Sequence, residues 1–145
     1  MKRILILLGV LAVLALSAAV AAVAMPGAPV TRHKDGTVTI DTRTLKAADG
    51  CFGPTPLLIH LDVKQQVSRI EALPNDETPQ YFRLVADKLL HAWDGVPARK
   101  VKDVKVDAVS GATYSSEGVI SNVQAGIDYY LETLVKEFPR LGISG

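Results

Sequence analysis

Hydrophobic and polar positions divide the chain into one unbroken apolar stretch followed by short segments of alternating or helical period. Residues 4–24 carry no charge, and Ser17 is their only polar side chain. Beyond them "TVTIDT" sets Val38 and Ile40 against polar neighbours, the period of a half-buried strand. "LLIHLDV" repeats that pattern with Leu57, Ile59, Leu61 and Val63, and "VSRIEAL" follows after Lys64, Gln65 and Gln66. The two predict an antiparallel hairpin, although the connection has no Asn-Gly or Asp-Gly turn. Thr78 as N-cap and Pro79 at the first helical position open a helix whose apolar positions are Phe82, Val85, Ala86, Leu89 and Trp93, with Asp94-Gly95 as its stop. "VKDVKVD" alternates Val104 and Val106 and predicts another strand. From Ser116 a stripe of Val119, Ile120, Val123, Ile127, Tyr130, Leu131, Leu134 and Phe138 predicts a long helix ending before Pro139. That order predicts an α+β fold, a small antiparallel sheet with helices packed on it.

The leading apolar run spans about 21 residues, or ~32 Å as a helix, enough to cross a bilayer. Lys2 and Arg3 precede it and are expected on the cytoplasmic side, so the remainder is expected to be exported. Ala22-Val23-Ala24 also fits a signal-peptidase site, so residues 1–24 read as either a retained anchor or a cleaved signal peptide. Residues 25–36, with two prolines and two glycines, read as a linker, and residues 37–145 as the one folded domain. The domain is thus expected on the outer face of the cytoplasmic membrane, or periplasmic or extracellular after cleavage.

Composition removes several function classes. A net charge of +1 with no basic stripe argues against nucleic acid as a partner. Cys51 is the single cysteine, so no internal disulfide forms, and it reads as a small packed side chain. His33, His60 and His91 lack metal-ligand spacing.

The chemistry concentrates in "DAVSGATYSSE", residues 107–117. Ser110 lacks the glycine that a nucleophile elbow places before its serine, and no lysine stands where a Walker loop requires one. Ser115 and Ser116 read as helix caps. A phosphate near Thr113 would meet the N–H groups and dipole of the following helix, while Gly111 and Ala112 leave room for close approach. The residues alone leave a bound phosphate and a plain capped turn equally open.

"VDAVSGATYSS" resembles the attachment motif of the FMN-binding domain family, found in the Rnf electron-transport complex, the sodium-translocating NADH:quinone reductase and exported bacterial redox proteins. "GPTP", containing Pro54 and Thr55, resembles that family's Gly-Pro loop, and "NDETP", containing Glu77 and Thr78, its helix-opening segment. The likeness extends from about Asp49 to Tyr130, with one departure, an aromatic residue displaced by one position to Phe52. It implies that Thr113 carries FMN through a phosphoester installed by a flavin transferase. It further implies that Ser110, Gly111, Ala112, Glu77, Thr78, Pro54 and Thr55 surround the cofactor site, and that Asp107, with the motif's small residues, is read by the transferase. No acid–base pair accompanies the motif, so a carrier relaying electrons from a membrane donor to an acceptor is expected rather than an enzyme with its own substrate. The rival expectation is a non-flavinylated envelope binding module built on the same fold.

Overall fold

A computed structural model describes residues 28–139; the apolar run read as anchor or signal peptide lies outside the described residues. Four strands form one antiparallel sheet in sequential order: β1 (Val30–Arg32), β2 (Val38–Asp41), β3 (Leu57–Leu61) and β4 (Val67–Ala72). Two α-helices, α1 (Pro79–Leu89) and α2 (Thr113–Glu137), and a 3-10 helix at Ala98–Asp103 complete the described chain. The α+β architecture is the one the polar pattern predicts.

Alternation sorts the two faces of the sheet. Ile40, Leu57, Ile59, Leu61 and Val67 are almost wholly buried, and α2 covers them with Val119, Val123, Ile127 and Tyr130. The opposite face is polar, with the Thr39 hydroxyl between the His33 and His60 rings, and His60 bonded to Glu71 at 2.9 Å. One buried face and one wet face is the usual arrangement for an antiparallel sheet.

The hairpin between β3 and β4 turns without the dipeptide signal because Asp62 supplies the turn itself. Its carboxylate accepts the N–H groups of Lys64 and Gln66 at 2.9 and 3.0 Å, and Gln65 takes a positive φ of 62°. Asx-type bonding of this kind substitutes for a glycine-based turn.

Three expectations need correction. The sheet begins inside residues 25–36: Val30 pairs with Ile40 and Arg32 with Val38, and Arg32 lies 5.9 Å from the centre of the buried Tyr130 ring while its guanidinium bonds Glu137 at 2.8 Å. The ladder with β2, supplemented by this contact with α2, orders a three-residue strand that proline and glycine neighbours hide. No strand forms over "VKDVKVD"; Pro97 opens the 3-10 helix, which buries Ala98 and Val101 at its three-residue period and leaves the following residues irregular. Finally, α1 ends at Leu89, and the chain reaches Gly95 through turns that still bury Trp93.

The floor of the site is set by a contact between glycines. A Cβ on Gly118 of α2 would lie 2.7 Å from Thr55 Oγ1 and 2.9 Å from the Gly50 nitrogen, so the loop before β3 rests directly on the helix backbone. Asn122, one turn further on, donates to Thr55 Oγ1 at 3.4 Å and accepts from the Thr42 hydroxyl at 2.8 Å. That buried network satisfies its own polar groups and locks the loop in place.

Candidate functional site

The turn before α2 is built from the motif's small residues. Gly111 adopts φ +82°, a conformation that side chains rarely take, and nothing lies within 4 Å of where its Cβ would be. Ala112 is buried, its N–H donates to Val109 at 2.9 Å, and the chain enters α2 at Thr113. The helix therefore starts three residues before the expected Ser116, and neither serine caps it. Ser116 is fully buried, donating to the Ala112 carbonyl at 2.7 Å and accepting the Val109 N–H at 2.9 Å. Its hydroxyl staples the turn shut. The N–H groups of Thr113, Tyr114 and Ser115 are left without a partner among the described residues, and the Thr113 side chain is exposed.

Ser115 instead points across to Glu77, to which its hydroxyl donates. The buried Glu77 carboxylate also accepts the N–H groups of Phe52 at 2.9 Å and Cys51 at 3.2 Å. Burial pushes its pKa up, but the hydrogen bonds from Ser115, Phe52 and Cys51 outweigh this and hold it below the ordinary glutamate value. Glu77 thus joins three separated segments, the 50–53 loop, the entrance to α1 and the first turn of α2.

Around this junction lies a cleft of about 270 Å³, lined by Cys51, Phe52, Glu77, Thr78, Tyr81 and residues 111–115. Its rim is aromatic and open: Phe52 is 62% exposed, Tyr81 50% and Tyr114 67%. Contiguous exposed aromatic surface beside a concavity marks a binding site rather than a core. Cys51 is exposed here, not packed as its residue type led us to expect, because Glu77 pins its backbone and turns the loop outward.

Of the residues singled out from sequence, Thr113, Gly111, Ala112, Glu77 and Thr78 converge on this cleft. Pro54 is exposed outside it, and Thr55 is buried beneath the loop in the Asn122 network. Ser110 and Asp107 face a second groove, on the other side of the turn, with Lys88, Leu89 and Lys105. Sequence reasoning missed Tyr81, Tyr114 and the Ser115–Glu77 bond. The aromatic residues carried a signal, being apolar positions outside the core stripe of each helix.

The cleft makes a direct prediction for Cys51. A ligand seated against Phe52 and Tyr114 covers the thiol, so alkylation by iodoacetamide should be about tenfold slower in ligand-loaded protein than in bare protein. Equal rates would place the ligand elsewhere.

A family model described as the FMN-binding domain matches residues 50–128. The matched span runs from the loop that Glu77 pins, through α1 and the 111–113 turn, into α2. None of the curated proteins matches the chain.

Proposed function

The chain belongs to the FMN-binding domain family, with FMN as its cofactor, and from that premise we propose that it holds FMN covalently through Thr113 and relays electrons outside the cytoplasmic membrane. The observation that carries the reading is the placement of an exposed Thr113 hydroxyl, on the first residue of α2, at the lip of an aromatic-rimmed cleft. The residues present fit the cofactor. Phe52, Tyr81 and Tyr114 offer faces to a flat ring system, the three unpartnered N–H groups of α2 suit a phosphate, and Gly111 offers no side chain to obstruct it.

When bound, FMN supplies acceptance of two electrons and their release one at a time. The chain's own contribution is placement. Glu77 fixes the wall of the cleft, and Thr113 fixes the phosphate end.

Ester formation is not something the chain equips itself to do. Among the described residues no base is bonded to the Thr113 hydroxyl, and the nearby carboxylate of Glu77 is occupied by Ser115 and two backbone N–H groups. On this reading a flavin transferase would supply the base and an activated donor, a flavin dinucleotide in which FMN is joined to AMP. In such a transfer the Thr113 oxygen would bond to the phosphorus of the FMN unit as the diphosphate P–O bond breaks, AMP would leave with the electron pair, and the hydroxyl proton would pass to the enzyme's base. No oxidation occurs.

Lys2, Arg3 and the long apolar run support export and anchoring. Because the sheet begins at Val30, a tether starting at Met25 has five residues and a reach of up to ~17 Å, which would keep the flavin near a membrane donor. The testing experiment expresses the full chain with a flavin transferase, treats spheroplasts with protease and acid-precipitates the released fragment. A yellow fragment is expected. Colourless released protein would favour the non-flavinylated binding module, and protection from protease would overturn the location.

A further inference from the structure

Residues 104–107 have a strand's side-chain alternation, and residues 104–108 have no strand partner. Val104 is extended (φ −75°, ψ 118°), Val104 and Val106 are half-buried, and Lys105 and Asp107 are exposed. Yet the backbone N–H and C=O groups of residues 105–108 have no hydrogen-bond partner among the described residues. Both ends are pinned: the Val104 N–H donates to Val101 at 3.2 Å, and the Val109 N–H donates to the buried Ser116 hydroxyl at 2.9 Å. Between the pins residues 105–108 run without a bend or turn, a stretch that would reach roughly 13 Å if fully extended at about 3.3 Å per residue, with its backbone groups open on the surface. Such an edge is a template for pairing with another chain.

The position of this edge selects its partner. It leads through Ser110 and Gly111 directly to Thr113, whose esterification needs an external enzyme, and it borders the groove that holds Asp107 and Ser110. Any enzyme seated over Thr113 from that side covers it. We propose that residues 105–108 pair as an added β-strand with an edge strand of the transferase that modifies Thr113, the backbone supplying the grip and Asp107 the side-chain readout. This rests on the covalent reading above.

Successive residues of a strand direct their N–H groups to opposite edges, so only two of the four, either 105 and 107 or 106 and 108, can pair with one partner strand. Proline removes the N–H, and here it removes none that the domain itself uses. The experiment measures transfer of flavin from flavin dinucleotide by a purified transferase to full-length wild type, to K105P, V106P, D107P and A108P, and to the side-chain controls K105A and D107A. Expected is an alternating pattern. One proline pair loses about tenfold or more in kcat/KM, the other pair less, K105A stays near wild type, and all four proline variants keep their melting temperatures. The effect at position 107 is read against D107A.

Wild-type rates in all four proline variants, or a uniform loss without alternation, would overturn strand pairing while leaving covalent attachment intact. Failure of wild type itself to take up flavin would overturn the covalent reading and this one with it. Concentration-dependent self-association abolished by the same prolines would assign the edge to a second copy of the chain and overturn the proposal.

Discussion

Thr113→Ala is expected to abolish covalent flavin while leaving the fold unchanged. The Thr113 side chain is exposed and makes no hydrogen bond among the described residues, so its removal leaves no buried group unsatisfied. Alanine is also the better helix former, by about half a kcal/mol. Neighbouring hydroxyls are poor substitutes. Ser115 and Ser116 are buried and engaged with Glu77 and with the turn, and Ser110 faces the second groove. Acid-precipitated variant should therefore be colourless, where wild type gains the mass of FMN less one water on the peptide containing Thr113. Thr113→Ser keeps the hydroxyl and should remain a substrate. A yellow precipitate from Thr113→Ala, with the added mass on Ser110, would move the attachment point three residues back and onto the other face of the turn.

How much of this was legible in the sequence depended on range. Both long helices and the β3–β4 hairpin follow from periodicity, because their core positions are spaced within a single element. The strand at Val30 was not legible, since three residues carry no period and its order comes from pairing with β2 and from Arg32 reaching Tyr130 across the fold. The segment ending at Val106 misled for the opposite reason: its alternation is real, but its partner strand is missing from this sheet. At the site, the Ser-Gly-Ala-Thr motif located Thr113 because all its parts are contiguous. The aromatic rim draws single residues from three segments, and no local pattern announces that Phe52, Tyr81 and Tyr114 meet. Glu77 was partly hidden by its neighbours, since Thr78 and Pro79 already account for a helix beginning there. Ser115 and Ser116 were misread because a serine beside a helix start is ordinarily a cap. Here the start lies earlier, and both hydroxyls are drawn into tertiary bonds instead.

The same hidden role makes Glu77 the position where a near-isosteric change should cost most. Its two oxygens accept three hydrogen bonds from two segments distant in sequence, and no water-exposed surface compensates for their loss. In Glu77→Gln one oxygen becomes an NH₂ group. The Ser115 hydroxyl can rotate to accept from it, but the N–H of either Cys51 or Phe52 then faces another donor. Hydrogen bonds to a charged group contribute about 1.5–3 kcal/mol, so a loss of about 2 kcal/mol is expected. For a domain of this size that lowers the melting temperature by very roughly 10 °C. The pH dependence identifies the cause. A carboxyl held below its ordinary value contributes stability that is fully present above the unfolded pKa, about 4.3, and is lost as pH falls through the lower folded value. The gap between wild type and Glu77→Gln should therefore be widest near neutral pH and narrow below about pH 4. Flavin attachment should survive in the variant, since Thr113 does not depend on Glu77. Flavin fluorescence should nevertheless rise, because a loosened 50–53 loop would no longer confine a bound flavin beside the quenching rings of Tyr81 and Tyr114, and Cys51 should lose its protection from alkylation. A variant as stable as wild type across the whole pH range, with unchanged fluorescence, would show that Glu77 does not organise the cleft.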